Sequence, residues 1–229
     1  MAVTRLQRLS GDILRCRRCP RLVRWRERVA REKVHRHAGE EYWGKPLAGF
    51  GDPAARILLV GLAPAAHGGN RTGRMFTGDE SGRWLFRALH KAGIASLPDS
   101  VSRDDGQKLS DCYITAAVRC APPANRPLPA EFARCRPFLL REIALLARVR
   151  VVVGLGKIGY DAALEAYRAL GKISYRARPP FAHGVEHRLG DLTFLASYHP
   201  SQQNTFTGRL TEAMLDGVVR RAAGVARAV

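Results

Sequence analysis

The sequence predicts an α/β fold, a three-layer α/β/α sandwich around a central, mainly parallel four-stranded sheet. Three observations carry this. Four short apolar runs have the length and β-branched character of buried strands: 57–61, 113–118, 151–154 and 193–198. Segments of helical period lie between them and after the last. Each run is followed by a glycine-, proline- or histidine-bearing loop, and ligands in such folds bind beyond the carboxyl ends of the strands. At 229 residues, with no internal repeat and no linker-like break, one domain over residues 1–229 is expected.

The elements follow in chain order. Apolar residues at helical spacing predict helices over 5–15 and 22–32, the second strongly basic. The stretch EYWGKPLAGFGDPAAR is punctuated as a loop. Ile57-Leu58-Leu59-Val60 opens the first strand. Helical patterns follow at 82–92, 129–147, 158–170 and 210–228. Residues 95–108 read as a polar excursion, and 175–188 as a loop or ribbon containing Pro and His.

Of the 38 basic residues only six are Lys, and the net charge is +18, which favours a polyanionic partner. Arginine makes bidentate phosphate contacts and stacks on bases, so nucleic acid leads and an anionic membrane surface is the weaker alternative. No stretch has the apolar length of a membrane helix, and the N-terminus lacks an apolar signal core; a cytoplasmic protein is expected.

Five cysteines, an odd number, argue against a disulfide framework. Cys112 begins an apolar run and reads as a core thiol. Cys16 and Cys19 form a CxxC, while Cys120 and Cys135 lie far downstream. These four suit one metal centre, zinc or an iron–sulfur cluster, since both accept four thiolates. A zinc ribbon normally shows two CxxC pairs, so the cluster fits the spacing better. Four unrelated buried thiols are the ordinary alternative.

The densest chemistry lies in GLAPAAHGGNRTGRMFTGD at 61–79, with five glycines among His67, Asn70, Arg71, Arg74, Phe76 and Asp79. Glycine lets backbone approach a ligand closely, so a loop of this kind at a strand end is a binding floor. It is joined by TAAVRCAPPANRP at 115–127 and SYHPS at 197–201.

Together these motifs resemble the uracil-DNA glycosylase superfamily, specifically family 5, the UdgB type. The resemblance runs from the first helix to the last strand. It implies one glycosylase-like domain, with an N-terminal segment tethered by a structural [4Fe–4S] cluster on Cys16, Cys19, Cys120 and Cys135. It implies a monomeric DNA repair enzyme that flips uracil from the stack and cleaves its N-glycosidic bond, leaving an abasic site. Phe76 then stacks on the base, and backbone at Gly61, Leu62 and Ala63 meets its edge, with Asn125 and Ser201 adding contacts. His199 donates to the developing oxyanion of the base; a lone histidine is otherwise structural. Gln203, Asn204 and Phe206 are candidates to fill the space left in the duplex, and Arg209 to contact phosphate, although an ordinary helix-entry loop reads the same way.

Two departures matter. Sister families carry an acidic or amide side chain after the first glycine of the motif, where this chain has Leu62. The resemblance to family 5 makes Asp79 the substitute, although such an Asp also serves as an ordinary helix N-cap. An Asn that reads uracil elsewhere is replaced by Ala116-Ala117, which implies a looser range including hypoxanthine and xanthine. The rivals are a non-catalytic, metal-stabilised DNA-damage-binding protein on the same scaffold and a zinc-stabilised nucleotide- or RNA-binding module.

Overall fold

The structure, a computed structural model, describes residues 4–228. Two helices lead, α1 (Arg5–Leu14) and α2 (Pro20–Glu32). Thr4 caps α1, exchanging hydrogen bonds with Gln7 in a capping box. The sheet then builds from β1 (Phe50–Gly51), β2 (Ile57–Gly61), β3 (Cys112–Ala116), β4 (Val151–Leu155), β5 (Glu186–Leu189) and β6 (Leu192–Ser197). Its helices are α3 (Gly69–Thr72), α4 (Glu80–Lys91), α5 (Pro129–Leu145), α6 (Lys157–Ala169), α7 (Gln202–Phe206) and α8 (Glu212–Arg227).

The four expected strands form the parallel centre, in the order β3-β2-β4-β6. The sheet has six strands, however, not four. Antiparallel edges β1 and β5 flank the centre, pairing with β3 and β6. Neither edge shows a strand signature: β1 is two residues long, and Glu186-His187-Arg188-Leu189 is a polar edge with no continuous apolar run. Both fall in segments that read as loop or ribbon.

Alternation along β2 sets the layers. Ile57 and Leu59 face one side with Leu85, Phe86 and Leu89 of α4 and Leu215 and Val219 of α8. Leu58 and Val60 face the other side with Ile143 of α5 and Ala163 and Leu164 of α6. A third cluster joins Leu9 and Ile13 of α1 and Leu22 of α2 to Val118, Cys120, Cys135 and Phe138. Cys112 is fully buried in the core, as expected.

From β2 the chain crosses to β3 on one side, whereas β4 lies on the other side of β2 and continues outward to β6. The topology therefore switches between β2 and β4, where open α/β sheets leave a crevice. Gly61 ends β2, and Gly156 follows β4.

Candidate active site

Two rings meet at that crevice, each seated against a glycine. A Cβ on Gly61 would stand 2.9 Å from Cζ of Phe76, and one on Gly156 would stand 3.1 Å from Cβ of His199. Only bare backbone admits the Phe76 ring this close, whereas the His199 ring atoms stand 3.8 Å from the point above Gly156, an ordinary contact. Their centroids are 5.8 Å apart, tilted by 32°. Phe76 has φ of 50°, a conformation that costs a non-glycine residue free energy and concentrates at functional sites. Burial pushes the His199 imidazole down to about 4, so the ring is neutral at physiological pH.

Asp79 closes the glycine loop and caps α4, its Oδ1 accepting the Gly82 N–H at 2.9 Å. The capping role is therefore real, but it occupies only one oxygen. The carboxyl group also packs on bare backbone: a Cβ on Gly68 would lie 2.6 Å from its Cγ. Burial raises the Asp79 pKa above the ordinary range, while the Gly82 N–H and the charge of Arg71 pull the other way. Arg71 braces both ends of the loop, donating to the carbonyls of His67 (2.8 Å) and Gly78 (2.6 Å) and pairing with Glu40.

Asp79 opens onto a cleft of about 900 Å³, together with His67, Gly68, Asn125, Ser201 and Gln203. Three strand-end loops, after β2, β3 and β6, thus supply one rim. Ala124 and Asn125 both have positive φ, so the tip of the second loop is a constrained turn. The carbonyls of Gly61 and Leu62 accept from Ala117 and Val118, locking the first loop to the second. Leu62 offers no polar side chain to the site, and Ala116 and Ala117 are buried with only backbone to offer. Ala63 packs toward the cysteine-side core.

In the loop after His199-Pro200-Ser201, Ser201 precedes α7. The Asn204 side chain turns back to donate to the His199 carbonyl at 2.9 Å, so it braces this loop. Phe206 is 74% exposed, and Arg209 lies over the Tyr198 ring at 4.6 Å.

Cys16, Cys19, Cys120 and Cys135 line one small cavity beneath the Arg119–Ala121 turn, although 119 residues separate the first from the last. Among the described residues no three His, Cys, Asp or Glu side chains are grouped to hold a single metal ion. Arg26, only 2% exposed, directs Nη1 to Cys120 Sγ at 2.9 Å. Its nearest carboxylate, Glu27 at 4.0 Å, is already held by Arg17. The Arg119 N–H points to Cys135 Sγ at 3.3 Å, and the Arg119 side chain pairs with buried Glu142.

Two groups had no role assigned from sequence. Arg71 is visible there as a basic residue in the loop, but its clamp across the loop depends on the fold. Arg26 left a clearer sign: it is the one charge on the buried stripe Leu22, Val23, Arg26 and Val29 of α2. A charge on an apolar stripe asks for a buried partner.

The cleft lined by Asp79, Asn125 and Ser201 and the Phe76–His199 ring pair are thus built by loops that leave the same ends of the parallel strands. Residues 48–223 match the model of the uracil DNA glycosylase superfamily. The chain is 53% identical over 209 residues to a type-5 uracil-DNA glycosylase of Thermus thermophilus, covering 90% of this chain and 92% of that one. It is 50% identical over 216 residues to that of Mycobacterium leprae, covering 93% of each, and 47% over 211 residues to that of Pyrobaculum aerophilum, covering 92% and 89%. The chain belongs to the type-5 uracil-DNA glycosylase family.

Proposed function

We propose that the protein is a DNA repair glycosylase that hydrolyses the N-glycosidic bond of uracil in DNA and leaves an abasic site. The observation that carries this reading is the convergence of three strand-end loops on one cleft, bringing Asp79, Asn125 and Ser201 together beside the Phe76–His199 pair. The base leaves the stack and lies on Phe76. Water adds to C1′ as the bond to the base breaks; the electron pair leaves with the base, and the proton lost by water ends on the departed base anion, so both products are neutral. Asp79, ionised, orients that water through its free oxygen and stabilises the cationic sugar. Neutral His199 donates a ring N–H to the oxyanion that grows on the base. Backbone at Gly61, Leu62 and Ala63, with Asn125, meets the base edge.

The absence of an amide reader at Ala116-Ala117 supports a wider range that includes hypoxanthine and xanthine. A pocket discriminates strongly only when a wrong base leaves its polar groups unpaired. Of the three plug candidates Asn204 is engaged with the His199 carbonyl, which leaves the exposed Gln203, on the cleft wall, and the exposed Phe206.

The four cysteines fit a [4Fe–4S] cluster, which would supply a structural tether between the N-terminal helices and the Cys120 turn. The fit rests on Arg26. A guanidinium buried beside a neutral thiol, with its nearest carboxylate already engaged, is an uncompensated charge. Beside a cluster thiolate it is a paired one.

The test is to incubate the protein with duplexes holding uracil, hypoxanthine or xanthine and then treat them with hot alkali. Breaks are expected at the damaged base; strands that stay intact for all three overturn the reading.

A further inference from the structure

One basic surface lies outside the cleft. Helical spacing aligns Arg21, Arg24, Trp25, Arg28 and Arg31 along one side of α2, opposite the buried stripe of Leu22, Arg26 and Val29. These residues wall an open groove that ends at Pro123. Trp25 lines this groove and the active-site cleft alike, and Pro122 of the cleft adjoins Pro123. The two surfaces are continuous.

Its charges are unequally committed. Glu131 holds Arg21, and Arg17 neutralises Glu27, the carboxylate on the groove wall. Arg28 lies over the Trp25 ring at 4.7 Å and is only 3.7 Å from Glu32 on the exposed surface. Arg24 and Arg31 are exposed and make no ion pair among the described residues. From Arg21 to Arg31 the helix rises about 15 Å, the rise of roughly four base pairs. An acidic protein partner would satisfy the charge alone. Continuity with a pocket that takes a base from DNA selects the DNA itself.

We propose that this face of α2 is the track for the duplex on one side of the lesion, with Arg24, Arg28 and Arg31 receiving successive phosphates and Trp25 standing between track and base pocket. The inference rests on DNA being the substrate of the cleft.

The test uses the full chain carrying Arg24→Gln, Arg28→Gln and Arg31→Gln, against a charge-matched control at the distant exposed positions Arg148, Arg176 and Arg220. Affinity for a uracil-containing duplex and for an undamaged one is followed between 50 and 200 mM salt. Three lost phosphate contacts lower the slope of log K against log salt by about 2.7, so the wild-type advantage shrinks about 40-fold across that range on both duplexes. The control triple keeps the wild-type slope. In hydroxyl-radical footprints, protection contracts on one side of the uracil only. Should the triple fail to fold, Arg24→Gln and Arg31→Gln alone each lower the slope by about 0.9. An unchanged slope, an equal loss in the control, or a footprint that shrinks on both sides overturns the track. Failure of the wild-type protein to break the strand at uracil overturns the glycosylase reading instead, and the slopes still report whether α2 meets DNA.

Discussion

Gly68→Ala separates the two roles available to Asp79, helix cap and catalytic carboxylate. A Cβ at residue 68 would lie 2.6 Å from Asp79 Cγ and 3.0 Å from its Cβ, against 3.5–4.0 Å for comfortable carbon contact. Asp79 Oδ2 lies nearer still to that point, so the carboxyl group must withdraw by upward of about 1 Å. Gly68 has φ of −101° and ψ of −106°, outside the regions an alanine prefers, so the substitution also carries a backbone cost that the Asp79→Ala background subtracts; the three atoms nearest the new Cβ all belong to Asp79. Its Oδ1 is held by the Gly82 N–H at 2.9 Å, and the shift is absorbed by rotating away from the pocket or by releasing α4. Releasing the cap costs about 1 kcal/mol, which in a chain of this size lowers Tm by roughly 2–4 °C. Displacing a reacting group by 1 Å costs about 100-fold in rate, or about 2.7 kcal/mol of barrier. Single-turnover excision at saturating DNA, binding by anisotropy and thermal melting read these separately. The expected result is a rate near 1% of wild type with affinity within about threefold. On an Asp79→Ala background, Gly68→Ala should cost nothing further in rate. A Tm loss with wild-type turnover would reduce Asp79 to a cap and refute the assignment.

Asp79→Asn should slow excision by at least 100-fold while DNA affinity stays near normal. Because burial raises the Asp79 pKa and the ionised form is the working one, wild-type activity should fall on acidification through a pH above the usual aspartate range. His199, pushed down to about 4 by burial, adds no ionisation between pH 5 and 8, so any acidic limb of the single-turnover profile in that range should disappear in Asp79→Asn. Arg26→Gln should lower iron and sulfide content and speed the loss of absorbance near 400 nm in air, with Arg26→Lys intermediate; wild-type values in both would remove Arg26 from the cluster. For Asp105, burial works to raise the pKa, but Arg74 and the N–H groups of Gln107, Val101 and Ser102 outweigh it and hold it at about 2. A depressed carboxylate contributes stability above its unfolded pKa and loses it as pH falls toward its folded one. Asp105→Asn should therefore cost about 2 kcal/mol near pH 7, and the difference should vanish between pH 4 and 2 in urea titrations.

The central sheet was legible because a strand buried on both faces must be apolar throughout, and 57–61 and 151–155 are. The edges were not, because two residues at Phe50–Gly51 carry no periodicity and Glu186–Leu189 turns polar groups to solvent. The site was readable where its chemistry is local. Phe76, Asp79 and His199 stand in motifs at strand ends; the fold brings Phe76 and His199 into ring contact and sets Asp79 with Ser201 on one cleft. What stayed hidden is long-range. Nothing near Arg26 in sequence announces Cys120, 94 residues away, and nothing near Asp105 announces Arg74. The excursion at 95–108 read as a polar surface loop. It is instead pinned to the base loop by Arg74, which reaches Thr77, Ser100 and Asp105 and lies over the Phe50 ring.

These contacts bear on Leu62. Where the family resemblance leads one to expect a polar side chain after Gly61 this chain has Leu62, and under the proposed function the water falls to Asp79, seventeen residues later. A carboxylate so far along a loop is only as good as the loop is rigid. The rigidity has identifiable sources. Arg71 ties the carbonyls of His67 and Gly78 at the two ends of the loop that leads into Asp79, and Arg74 anchors Thr77. The Gly61 and Leu62 carbonyls hold Ala117 and Val118, and bare backbone at Gly68 receives the carboxyl group. The Asn70 side chain donates to the Arg26 carbonyl at 3.2 Å, joining the loop to the helix that supports the cysteines. On the proposed reading, a late carboxylate works only with a buried arginine clamp and a seat on glycine, and the Asn70–Arg26 bond ties the same loop to α2 from behind.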